Sequence, residues 1–325
     1  MRTHVLPRRP AIRLTELGLG AAQGGNLYRG TTDEEFAAAV DTAWAAGVRY
    51  FDTAPHYGLG LSERRLGSAL RHRPRDEYVV STKVGRLLVP SPQDAHLRDP
   101  EGFDVPADHR RVWDFSRDGV RRCIEASLER AGLDRIDIAY LHDPDDHWEQ
   151  AAEEAVPALV ELRDQGVVGA IGAGMNQSAM LARFVRETDV DVMMCAGRYT
   201  LLEQGAADDL LPLAESRGVG VVIAGVYNSG LLSRDRPPAD AFYNYQQAPP
   251  ELIERARRMA EVCDAHGVTL PQAALAFVRR HPAVVSTVVG VRNGTQMAET
   301  VGRSEAVVPD ELWESLATAG LLASL

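Results

Sequence analysis

Lysine is almost absent from this sequence: of 35 basic residues only Lys83 is a lysine, and the rest are arginine. Arginine carries charge on a surface as well as lysine does, but its broad fork cannot replace a compact ammonium in a tight site. A single surviving lysine therefore points to a position with a chemical requirement. Cysteine is scarce too. Cys123, Cys195 and Cys263 are too few and too scattered for a disulfide framework or a structural zinc site, and are expected as buried thiols in a reducing compartment. No apolar run approaches the length of a membrane span, and residues 1–14 lack an apolar signal core, so a soluble, cytoplasmic protein without membrane partners is expected. Positive charge is not in excess either. A net charge of -11 argues against a nucleic-acid surface, which needs a basic face. The one stretch dense in metal-ligand types, His142-Asp143-Pro144-Asp145-Asp146-His147, has no second histidine pair at another strand end. A metal hydrolase is the weaker reading of it, and no metal is expected.

What is present is a regular alternation. Apolar runs of strand character begin near Leu17, Arg49, Tyr78, Ile136, Val168, Val190, Gly218 and Val284. Between them the apolar spacing turns helical: Phe36, Val40 and Trp44 share one face, as do Val120, Ile124 and Leu128, then Val156, Leu159 and Val160, and later Leu252, Ala256, Met259 and Cys263. Alternating strands and helices imply a parallel sheet with helical crossovers. Eight such units in 325 residues predict an α/β fold, a single (β/α)8 TIM barrel over residues 1–325. The competing open sheet would need a glycine-rich turn in dinucleotide-binding register after the first strand. The glycines at 18, 20, 24 and 25 are not in that register. Two strand-to-strand steps are long, one after the third strand and one after the seventh. Both leave the face where barrel enzymes build their sites. They read as lids without secondary structure of their own, carrying Trp113 and Phe115 in the first and Phe242, Tyr243 and Tyr245 in the second. A leading hairpin from His4 to Leu14 is expected to plug the barrel floor.

Three strand ends carry titratable side chains. The second closes on Asp52, with His56 and Tyr57 just beyond; the third closes on Lys83; the fourth closes on His142. Neighbouring strands of a barrel bring these to one rim. A phenol ionises near pKa ~10, and an adjacent ammonium lowers that value. Asp52 would hold Lys83 in place and keep it charged, and His142 would orient a substrate oxygen towards Tyr57. A proton donor and acceptor opposite a hydride carrier is what interconverting a carbonyl and an alcohol requires. Two other readings stand beside this one: Lys83 as a Schiff-base nucleophile of an aldolase, and a cofactor-binding redox sensor without turnover.

The segments Phe51-Asp52-Thr53-Ala54 with Tyr57-Gly58, Ser81-Thr82-Lys83-Val84-Gly85 and Tyr140-Leu141-His142 resemble the catalytic tetrad of the aldo-keto reductase superfamily, and the likeness runs from about Leu14 to beyond Val301. The resemblance implies Tyr57 as general acid and base, Lys83 and Asp52 as its tuners, His142 as the orienting donor, and a barrel that binds NAD or NADP without a Rossmann domain. It also implies cofactor contacts from Asn176, from the loop of Ser229, Gly230, Leu231 and Leu232, and from Gly290, Val291, Arg292, Gln296 and Glu299. The serine usual before the asparagine is missing here. The glutamine usual at the end of the sixth strand falls on Ala196, and the stacking tyrosine after the seventh falls near Gly225. Gly290 and Gln296 stand where many NADP-preferring members carry Lys and Arg, which leans the expectation to NAD, with Arg292 left as a candidate partner for a 2′-phosphate. Within the superfamily, Ser81 through Leu88, residues 141–146 and Phe242-Tyr243-Asn244-Tyr245 are similar to the aldose 1-dehydrogenase branch. That implies oxidation of the C1 hydroxyl of an aldose of the L-fucose or D-threo class to its lactone, with His56, Trp113 and Tyr243 against the sugar. Pyridoxal oxidation and general aldehyde or ketone reduction are the alternatives. The expected partner is a small molecule, and the expected state a monomer or small homo-oligomer.

Overall fold

A computed structural model describes residues 1–244 and 246–322. Eight parallel strands close into a barrel. Numbered along the chain, they are β1 (Leu17–Gly20), β2 (Tyr50–Asp52), β3 (Val79–Val84), β4 (Ile136–His142), β5 (Val168–Met175), β6 (Val192–Ala196), β7 (Gly220–Ala224) and β8 (Val284–Gly290). Each pairs with its neighbours in sequence, and β8 closes on β1 through Val288 opposite Gly18. The apolar runs are strands because each is short, β-rich and buried on both faces, as a parallel barrel demands. Helices begin where side chains satisfy the free amides. Thr32 and Glu35 form a reciprocal capping box at Asp33–Ala45, and Ser116 accepts from Gly119 N at Arg117–Ala131.

Two apolar layers result. The outer one packs helices on the barrel wall; the inner one fills the barrel with Tyr50, Ile138, Tyr140, Val192, Met194, Val222 and Val288. Leu6 and Leu14 belong to that inner layer and are fully buried. They come from the leading hairpin, Thr3–Leu6 paired with Arg9–Thr15, which plugs the floor as its sequence predicts.

The two long insertions are more ordered than their prolines and charges indicate. The first contains an antiparallel hairpin, Arg86–Pro90 against His109–Trp113, with Arg86 opposite Trp113. Pro90 stands at the outer end of its strand, where a missing amide costs the ladder least. The second holds a two-residue pairing of Phe242–Tyr243 with Gln246–Gln247; Tyr245 lies outside the described residues. Phe115 is no lid residue: it is fully buried in the wall. The room it occupies exists because position 85 has no side chain. Gly85 turns the chain from β3 into the hairpin at φ +105°, and a Cβ there would lie 2.1 Å from the Phe115 ring. Gly85→Ala would combine backbone strain with that clash, so a stability loss of roughly 2–4 kcal/mol is expected. Urea unfolding of the two proteins measures it, and a loss below about 1 kcal/mol would contradict this packing account.

Candidate active site

The Gly85 turn leaves Lys83 pointing inward from the end of β3. Its Nζ donates to Asp52 Oδ2 at 2.7 Å and to the Thr53 carbonyl at 3.0 Å. The third partner is Tyr57, to which Lys83 is hydrogen-bonded, with Nζ 4.8 Å from the ring centroid. Lys83 is only 2% exposed. Burial alone would release its proton, but Asp52 and then Tyr57 outweigh that and hold the ammonium above its ordinary pKa. A protonated amine is a poor nucleophile, which weighs against the Schiff-base reading.

Asp52 is held from behind. Ser81 Oγ donates to its Oδ1 at 2.7 Å; Tyr50 OH lies 3.0 Å from Ser81 Oγ and 3.3 Å from Tyr140 OH. Tyr50, with Asp52 beside it, keeps its proton because burial raises its pKa. A line of hydroxyls thus runs up the barrel interior to the carboxylate. Each buried polar group on it has a partner, which is the condition for such a network to rigidify rather than destabilise.

Tyr57 sits on the turn after β2, its amide bonded to Ala54 O at 3.1 Å, and Gly58 follows at φ +62°. Around it the rings of His56, His142 and Phe103 form one cluster, with centroids 5.2–6.1 Å apart. The Nε2 of His142 lies 3.6 Å from Asp143 Oδ2. Burial, and after it the charges of Arg86 and Lys83, push its pKa well below the ordinary histidine value. It is a neutral imidazole at the mouth, able to donate from one nitrogen. His56 is pushed down to about 2 by burial, then by Arg86, Arg111 and Lys83.

Asp52, Lys83, Tyr57, His142 and His56 are therefore brought together. Trp113 joins them through Arg86, whose guanidinium lies 4.3 Å from its ring, and it is 46% exposed. Tyr243 is tied elsewhere, donating to Glu203 Oε1 at 2.9 Å in the loop after β6. Sequence reasoning missed Phe103, Arg86, Asp143 and Arg111. Arg86 donates to Asp143 and His56, and Arg111 forms a two-pronged pair with the buried Asp99 at 2.7 Å. The signal was present in part: Asp143 stood beside His142, but its partner comes from a hairpin more than 50 residues away.

At the ends of β6 and β7, Gly197 (φ +70°) and Gly225 (φ +63°) face each other so closely that a Cβ on Gly225 would lie 3.2 Å from Gly197 N. Asn176 donates to Ala196 O at 2.8 Å beside them, and Asn228 to Gly197 O at 3.2 Å. Ser229 and Gly230 are exposed, while Leu231 and Leu232 are fully buried in the wall, leaving only their backbone for a ligand. Gly290, at the end of β8, lies against Gln23, where a Cβ would come 2.5 Å from Oε1, a buried oxygen with no hydrogen-bond partner among the described residues. Val291 is buried. The Arg292 side chain turns away from the helix that follows: it donates to Leu27 O, Arg29 O and Thr31 Oγ1, pinning the loop after β1. Gln296 Oε1 accepts from Arg292 N at 2.9 Å, and Glu299 is exposed beside Arg303. Among the described residues no group of three or more His, Cys, Asp or Glu side chains is placed to hold a metal ion, and no helix is long and apolar enough to cross a membrane.

The aldo/keto reductase family model matches residues 16–320. D-threo-aldose 1-dehydrogenase from Pseudomonas sp. is 49% identical over 318 residues, covering 96% of this chain and 95% of that protein. Pyridoxal 4-dehydrogenase from Microbacterium luteolum is 38% identical, covering 97% and 96%. Among solved structures, the holo form of an aldo-keto reductase from Bacillus halodurans superimposes with a TM-score of 0.77 at 24% identity, covering 98% of this chain and 96% of that one; at that identity the likeness speaks for the fold. With a closed barrel, a tyrosine joined to a buried lysine–aspartate pair and these relatives, the chain belongs to the aldo/keto reductase family and is an oxidoreductase of that type.

Proposed function

We propose that this protein oxidises the C1 hydroxyl of a cyclic aldose to its lactone, with NAD as the hydride acceptor. The observation that carries the reading is the joining of Tyr57 to Lys83, itself held by Asp52, beside a neutral His142 at the barrel mouth. Tyr57, as the phenolate that Lys83 favours, takes the proton of the C1 hydroxyl. His142 donates to the same oxygen and fixes it against the phenol, and the C1 hydrogen departs as hydride while the C1–O bond becomes a carbonyl. The similarity to an aldose 1-dehydrogenase supports an anomeric hydroxyl as the reacting group.

The residues present fit a nicotinamide dinucleotide. The Gly197–Gly225 shelf beside Asn176 leaves open backbone where a side chain would intrude, and the buried Gln23 Oε1, without a hydrogen-bond partner among the described residues, lies beside Gly290. Ser229 and Gly230 would cover the pyrophosphate. The start of the helix Gly294–Ser304 offers amides to the adenosine phosphate. When bound, the nicotinamide supplies the hydride acceptor. Arg292 is committed to the loop after β1, and Gly290 and Gln296 bring no positive charge, so a 2′-phosphate finds no cation among them. NAD should be preferred over NADP by roughly 10- to 100-fold in kcat/KM, the worth of one missing charge-assisted hydrogen bond. With three buried free thiols, the reducing cytoplasm is the compartment we assign.

Absorbance assays of aldoses and pyridoxal with each dinucleotide test the reading. Reduction of NAD by an aldose of the L-fucose or D-threo class is expected. Turnover of pyridoxal and no aldose would instead favour the second relative's chemistry, which the aromatic wall of Phe103 and Trp113 also suits. Tight NAD binding with no turnover of any substrate would favour a redox sensor.

A further inference from the structure

Arg86 is the first residue of the hairpin after the Gly85 turn, and its side chain is 12% exposed. Its guanidinium meets three groups from three parts of the chain. Nη1 lies 3.0 Å from His56 Nδ1, on the loop after β2. Nη2 donates to Asp143, which follows β4 in the left-handed region at φ +46° with its amide bonded to Gly174 O at 3.0 Å. The guanidinium carbon lies over the exposed Trp113 ring on the returning strand, 4.3 Å from its centroid. Arginine has only donors and keeps its proton, so His56 Nδ1 must accept.

A neutral imidazole carries one proton, and with Nδ1 accepting, that proton is on Nε2. The groups facing His56 are Arg86 and Arg111 from the hairpin, Lys83 from β3, His142 from β4 and its neighbour Tyr57. Three of these are cations that disfavour a second proton on the ring. Nε2–H has no hydrogen-bond partner among the described residues. The ring that bears it is 5.4 Å from His142 and 5.9 Å from Tyr57, on the same mouth. Tyr57 and His142 suffice for one oxygen, the one on C1; a third polar group beside them is suited to a second.

We propose that Arg86 is a positioning residue that makes His56 an obligate donor, through Nε2–H, to a sugar hydroxyl adjacent to the reacting carbon, while holding Trp113 as the apolar wall of the sugar site. This rests on the aldose reading above. The specificity it confers is for a substrate bearing an oxygen next to C1, since a donor that a bound deoxy analogue covers but leaves unpaired costs binding. Lysine at 86 would keep the charge, but a single ammonium cannot reach His56 and Asp143 and also stack on Trp113.

Two measurements decide it. In 15N-histidine-labelled protein with NAD bound, long-range 1H–15N spectra assign His56 by its loss in His56→Phe. The Nε2–H form is expected from pH 5.5 to 8, and in Arg86→Gln a mixture with the Nδ1–H form and imidazolium in that range. In kinetics, wild type is expected to favour the aldose over its 2-deoxy analogue by about 10- to 100-fold in kcat/KM. Arg86→Gln, Arg86→Lys and His56→Phe should each lower that ratio towards one through KM, with NADH affinity within about twofold. An unchanged tautomer or an unchanged ratio in Arg86→Gln overturns the proposal. If that variant does not fold, an undiminished ratio in His56→Phe overturns it instead. Absence of aldose turnover in wild type would defeat the functional reading alone, because the tautomer spectra judge Arg86 without it.

Discussion

Replacing Tyr57 with phenylalanine is expected to lower kcat by about 10³-fold or more, the range of a lost proton-transfer group, while the dinucleotide dissociation constant changes by no more than about twofold. The two effects separate because the hydroxyl serves the substrate oxygen, whereas the ring serves the fold. Phenylalanine keeps the ring against His56, Phe103 and His142, so the wall of the mouth survives. Steady-state rates and a fluorescence titration with NADH check both halves. Oxidation of sugars by the variant at the wild-type rate would remove Tyr57 from the reaction.

Lys83→Arg is the second large effect, and the less obvious one, because charge is conserved. The ammonium has three protons and three partners, Asp52 Oδ2, the Thr53 carbonyl and Tyr57. It is sealed among them. A planar fork on a longer stem cannot present donors in that tripod, and the packed floor of Ser81, Tyr50 and Asp52 leaves it no room to retract. A fall in kcat of roughly 10²- to 10³-fold is expected. Lys83→Met makes a different demand. It leaves the Asp52 carboxylate buried with Ser81 as its remaining side-chain partner, and stability should fall by about 3–5 kcal/mol. Measuring both activity and unfolding for the two variants separates lost geometry from lost charge. Near wild-type kcat in Lys83→Arg would mean that charge alone tunes the phenol.

These expectations help explain the composition. A chain that uses arginine at every other basic position keeps one lysine where a compact tripod of donors is required. Arginine takes the complementary task at two positions, where forked donors bridge two groups at once: Arg86 joins His56 to Asp143, and Arg111 joins the Asp99 carboxylate to the His56 carbonyl.

The strands were readable because a parallel barrel buries both faces of each, so that local apolar runs and global fold agree. That Asp52, Lys83 and His142 meet at one place was readable because strand ends of a barrel converge on one rim, whatever the loops do. The hairpin in the first insertion was not. Its two strands are separated by charged, proline-rich chain, and the turn that starts it is packed by Phe115, a residue distant in sequence, against Gly85. Nor could spacing reveal that Arg292 turns back to the loop after β1, since a long side chain chooses among distant acceptors.

From the amino-acid order alone came the eight-fold alternation, the plug, and the set Asp52, Tyr57, Lys83 and His142, all consequences of periodicity and of where strands end. Tertiary structure decided the rest: which acceptors Arg292 satisfies, the packing of Phe103 against His56 and Tyr57, and the joining of His56, Asp143 and Trp113 by Arg86. The division has a physical basis. Backbone pattern is a local property of the chain, whereas the partner of a buried charge is whichever distant group the closed barrel carries to it.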